Sequence, residues 1–107
     1  MNTFSEYERA AAAVPVSLRN DRDQIELPVL GLQEEAAKIG SKLTRSFVSG
    51  RFHLTQAQSK EVKDHLADVL WYVARLCGET GIGMEQLAAH SVTQLQTRTK
   101  GLDPDQR

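Results

Sequence analysis

Residues 60–78 read KEVKDHLADVLWYVARLCG. On a helical wheel advancing about 100° per residue, Val62, Leu66, Val69, Leu70, Val73, Leu76 and Cys77 fall in one sector, which is an ordinary core stripe. The opposite sector carries Glu61, Asp64 and Asp68, with Arg75 further along and Trp71 and Tyr72 on its flanks. Aromatic side chains bring the largest apolar surfaces to a protein. A face flanked by two of them is either a second buried surface against a partner chain or the wall of a site that holds cations on acidic oxygens.

Helical signals extend on both sides of this stretch. Leu54 precedes Thr55, and Thr55 with Gln58 forms a capping box that opens the helix, which is expected to end at Gly78. Upstream, Pro28 suits a first helical turn, and Leu32, Ala36, Ile39, Leu43 and Phe47 recur at helical spacing until Ser49-Gly50. Downstream, the short turn GETGIG folds the chain back into a fourth, antiparallel helix whose core face is Leu87, Ala88, Ser91, Val92 and Leu95. At the start, Ser5 to Glu8 reads as another capping box. The alanine run favours helix, Phe4, Tyr7, Ala11 and Val14 share a face, and Pro15 ends the element. Residues 15–27 read as a connector, with a helical turn near their end. Strand alternation persists nowhere. The expected fold is all-α: one four-helix domain over residues 1–100 and a flexible tail over 101–107.

With 107 residues and a formal net charge of −1, the chain suits one domain with a small core. A two-sided helix in so small a chain points to a homodimer or homotetramer. Acids and bases are interspersed, without the basic patch that a DNA or RNA duplex requires. The single cysteine, Cys77, lies on the apolar stripe and reads as a reduced core thiol. No apolar run is long enough to span a bilayer, and the start lacks the pattern of a secretion signal. A cytoplasmic protein without a membrane partner is expected.

Asp68 stands mid-helix among Leu66, Ala67, Val69 and Leu70, where an unpaired carboxylate is costly. It therefore reads as a site residue, with a structural pairing to an Arg or Lys as the alternative. Glu61 and Asp64 lie near the helix start, where acids favour the dipole; they are solvated or support the same site. Glu34 and Glu35 offer acids from the facing helix, as bundles do when they build metal centres. His65 reads as a hydrogen-bonded boundary residue; as a ligand it suits a transition metal better than Mg²⁺. His53 and His90 read as surface residues. Trp71 and Tyr72 read as packing across a subunit interface, with stacking on a base as the alternative.

The segments FSEYERAAA, LGLQEEAAKIG, HLADVLWYVARLCGETGIGMEQLA and QLQTR resemble the MazG-like all-α nucleoside triphosphate pyrophosphohydrolases, in the same order and at similar separations. The resemblance implies a helical bundle completed by dimerisation. It also implies Mg²⁺-dependent hydrolysis of a nucleoside triphosphate to the monophosphate and pyrophosphate; Mn²⁺ is the alternative ion, and binding of either is expected to be weak or absent given Lys38 and His65. In that family a Glu-x-x-Glu and a Glu-x-x-Asp motif bind the metal. Glu35 matches the first glutamate and Asp68 the aspartate, which makes them the catalytic and metal-binding candidates, with Glu61 and Asp64 as substitute metal ligands. Lys38 and His65 stand where the other two glutamates belong. Ser91 and Gln94 replace phosphate-serving residues of the last helix, and Arg98 remains. Lys38, Trp71 and Arg98 are the substrate-binding candidates.

Exchanging two carboxylates for an ammonium and a neutral imidazole raises the local charge by about three units, each worth roughly 4 kcal/mol at 4 Å in an effective dielectric near 20, before desolvation and screening. The expected function is thus a pyrophosphohydrolase-like protein with a partly degenerate site. The alternative is a catalytically silent helical dimer that binds nucleotide or another protein.

Overall fold

The computed structural model describes residues 3–16, 22–50 and 53–100. They form four helices, α1 (Phe4–Ala12), α2 (Asp23–Val48), α3 (Gln56–Thr80) and α4 (Met84–Lys100). Strands are absent among the described residues, as an all-α fold requires. α2 lies along α3, and α1 packs on both α3 and α4. The tail expected at 101–107 lies outside the described residues.

The helix ends follow side-chain chemistry, not always at the residues expected. α1 is capped by Thr3, whose hydroxyl accepts the Glu6 N–H at 3.1 Å, and not by Ser5. Glu8 is used elsewhere: its carboxylate accepts the Met84 N–H at 2.6 Å, while Glu85 accepts the Ser5 N–H at 3.4 Å. The amino ends of α1 and α4 thus satisfy each other's free amides with acids, which the helix dipoles also favour. α2 begins at Asp23, so the end of the expected connector is helical and Pro28 lies inside the helix. Its missing N–H removes one helical bond, but the proline ring is fully buried.

Thr55 and Gln58 form the expected capping box, with bonds of 2.9 and 3.1 Å. α3 runs past Gly78 to Thr80, because Gly81, at φ +72°, makes the left-handed turn, a conformation glycine takes without steric cost. Ile82 N–H then bonds the Cys77 carbonyl at 3.0 Å.

The apolar core is small: Ala11, Ala74, Cys77 and Met84, with Tyr7, Trp71, Val73 and Leu87 packed against it. The stripe expected to be the core of α3 is only partly covered, with Leu66 53% and Leu70 37% exposed. On α2, Ala36 and Phe47 are exposed while Leu32, Ile39 and Leu43 are half-buried; on α4, Ser91, Val92 and Leu95 are exposed. The reason is that α3 turns its polar side to α2. Accordingly the radius of gyration is 16.9 Å, against about 13 Å for a compact chain of this length. No described helix is long and apolar enough to cross a membrane.

Candidate functional site

The seam between α2 and α3 is antiparallel, and its rungs are mostly polar. Gly31 meets the Tyr72 ring, Glu35 meets His65, Lys42 pairs with Glu61, and Ser46 accepts from the Gln58 amide at 3.0 Å. The α3 members, 58, 61, 65 and 72, recur at steps of three, four and seven residues, which keep side chains on one helix face. Gly31 is required for close approach, since a Cβ there would overlap the Tyr72 ring.

Glu35 is the centre of the seam. It is 7% exposed, its Oε2 lies 2.6 Å from His65 Nδ1, and its Oε1 accepts from Lys38 Nζ at 3.4 Å. The bond to His65 holds its carboxyl below the usual range; burial opposes that, and Lys38 adds to it. Lys38 also pairs with Glu34 at 3.4 Å. Glu34 first, then Glu35, pushes the Lys38 ammonium up from its ordinary value. One turn along α3, Asp68 joins the group: Glu35, His65 and Asp68 offer ligand atoms that all lie within 4.8 Å of one another. Two carboxylates and an imidazole suit a borderline transition ion better than Mg²⁺, which takes oxygen ligands.

The structure thus brings Glu35 and Asp68 near each other with His65 in the same group, and Lys38 joins through its bond to Glu35. Asp68 is exposed, as are its neighbours Leu66 and Ala67, so the burial cost expected for its carboxylate does not arise, and its place in the site rests on its nearness to Glu35 and His65. The other candidates stand apart from this group. Glu61 is held by Lys42, which lowers its carboxyl from the ordinary value. Asp64 is exposed and outside the group. Arg98 is exposed near the end of α4, the helix that packs on α1.

Trp71 and Tyr72 are half-buried and contact each other and Arg75 within the chain. Their rings are 5.2 Å apart and tilted by 54°, and the Arg75 guanidinium lies 5.4 Å from the centre of the Trp71 ring. Together with Pro28, Leu30 and Glu34 they line a cavity of about 290 Å³. The buried indole N–H of Trp71 has no hydrogen-bond partner among the described residues.

A second, open groove of about 560 Å³ lies on the other side of Glu34. It is lined by Glu34, Lys38, Ser41, Lys42, Arg45 and His65. Lys42 and Arg45 escaped the sequence reading because the faces of α2 were judged from its apolar spacing. Their signal is the step of four and then three residues from Lys38, which places all three cations on one side of the helix.

No family model matches the chain, and no solved structure matches it. A relative, the gene 37 protein of Mycobacterium phage L5, is 28% identical over 69 residues, 64% of this chain and 60% of that protein. The likeness thus spans less than two thirds of the relative's length.

Proposed function

We propose that the chain is a nucleotide-binding relative of the MazG-like nucleoside triphosphate pyrophosphohydrolases, in which the Lys38 ammonium supplies charge that Mg²⁺ supplies in those enzymes. The observation that carries this reading is the state of Glu35. Its carboxylate is already engaged by His65 at 2.6 Å and by Lys38 at 3.4 Å. The residues do not fit Mg²⁺, because an imidazole occupies one oxygen of Glu35 and an ammonium already neutralises that carboxylate. In this reading the protein binds nucleotide and is silent in Mg²⁺-dependent hydrolysis. Base and sugar take the aromatic cavity of Trp71 and Tyr72, where a ring can stack.

The chain works as a homodimer in this reading. Exposed Leu66 and Leu70 on α3, and Val92 and Leu95 on α4, are the apolar surface that a second copy covers.

A specific observation favours a second reading. The Glu35, His65 and Asp68 ligand atoms are close enough to share one ion, so hydrolysis supported by Mn²⁺ or another transition ion is the enzyme alternative. Nucleotide binding by Trp fluorescence, beside pyrophosphate release over a panel of nucleoside triphosphates with Mg²⁺ and with Mn²⁺, tests both. Binding without release supports the first reading. Release with Mn²⁺ alone that Asp68→Ala abolishes supports the second, and brisk release with Mg²⁺ overturns the first.

A further inference from the structure

The groove beside the Glu35–His65 pair has three cationic side chains and one carboxylate on its walls: Lys38, Lys42 and Arg45 against Glu34. Two of the cations are held in place by acids behind or beside them. Lys42 is anchored across the seam by Glu61, with its side chain 30% exposed, and Lys38 is shared between Glu34 and Glu35, with 45% exposed. Arg45 has no ion-pair partner among the described residues. At about 1.5 Å of rise per residue, Lys38 to Arg45 covers roughly 10 Å of helix axis, enough to meet more than one phosphate group in a row.

We infer that this groove is a metal-independent site for linked phosphate groups, bound through Lys38, Lys42 and Arg45. The inference rests on the nucleotide reading above and names the part of the ligand that the groove takes. The aromatic cavity and the groove share Glu34 as a common wall, so one nucleotide spans both, its ring against Trp71 and its phosphates along α2. Arg45 presents a planar fork that matches phosphate oxygens in pairs, and the two lysines act as fixed point charges. The weak Lys38–Glu34 pair, at 3.4 Å and with Glu34 69% exposed, is the one a phosphate displaces, since exposed pairs of this kind contribute little.

The test is calorimetric titration of inorganic triphosphate into the full chain in excess EDTA, with a nucleoside triphosphate followed by Trp fluorescence in parallel. Both ligands are expected to bind without metal and to weaken as salt is raised. Arg45→Glu is expected to weaken both by at least about tenfold, from loss of one cation and gain of one repulsive charge. Arg45→Gln, which keeps the helix surface neutral at that position, weakens them severalfold, and Arg9→Ala on α1 leaves them unchanged. Absence of triphosphate binding in EDTA overturns the groove, as does wild-type affinity in both Arg45 variants or an equal loss in Arg9→Ala. Nucleotide binding without triphosphate binding overturns the groove and leaves the nucleotide reading standing. Failure of both ligands removes both.

Discussion

The Glu35 carboxylate and His65 Nδ1 stand 2.6 Å apart across the α2–α3 seam, where a bundle of this size would ordinarily place two apolar side chains. The pair ties the helices together and fixes how the fold responds to acid. Glu35 is held below its ordinary value of 4.5, chiefly by His65. Its stabilisation is present above 4.5 and is lost as pH falls through the lower folded-state value. Lys38 behaves in the opposite sense: raised above 10.5 by Glu34 and Glu35, it stabilises below 10.5 and ceases to do so as pH rises through its folded-state value. Thermal melts followed by circular dichroism should show a midpoint that falls on acidification below 4.5, and Glu35→Gln should flatten that fall. Equal acid dependence in the two proteins would remove Glu35 from this role.

Gly31 lets the Tyr72 ring lie directly on α2. Gly31→Ala forces the ring out and is expected to cost about 1–3 kcal/mol, the usual range for overpacking. Helix propensity alone would favour the same exchange by up to about 1 kcal/mol. The sign of the measured change in chemical denaturation therefore decides whether close approach governs this position. A stabilised variant would show that the seam opens freely there.

Leu66 and Leu70 are one helical turn apart, and both are exposed in the single chain. Sedimentation equilibrium is expected to give twice the chain mass for the wild type. Leu66→Lys with Leu70→Lys should give the chain mass alone, with helicity retained. A monomeric wild type would contradict the dimer and leave the exposed stripe unexplained.

The sequence revealed the helices more reliably than their orientation. Caps depend on neighbouring residues, so Thr55–Gln58 and Ser49–Gly50 were legible. Thr3, Glu8 and Asp23 were not, because Glu8 bonds an amide in α4 that lies far along the chain. The polar side of α3 reads as facing α2, as it does, but its apolar stripe is expected to be covered within the chain, and Leu66 and Leu70 are not. An apolar stripe shows what a helix can bury, whereas the facing line of α2 carries Glu35, Lys42 and Ser46, whose partners lie on the polar side of α3. Glu34 and Glu35 were both legible as acids facing Asp68, but spacing within one helix cannot register that helix against another, so only the structure shows that Glu35 is the one near Asp68. Lys42 and Arg45 were visible as residues, but their groove exists only once His65 closes one side.

The central claim is that Lys38 and His65 keep Mg²⁺ out of a position that carboxylates would otherwise offer it. Calorimetric Mg²⁺ titration of the wild type beside Lys38→Glu with His65→Glu tests this most directly. The wild type is expected to bind weakly, and the double variant at least about tenfold more tightly, since each restored charge acts at contact distance. Equal affinity in the two proteins would mean that these side chains do not border a metal position, and the account of Glu35 and Asp68 as its remnant would be wrong.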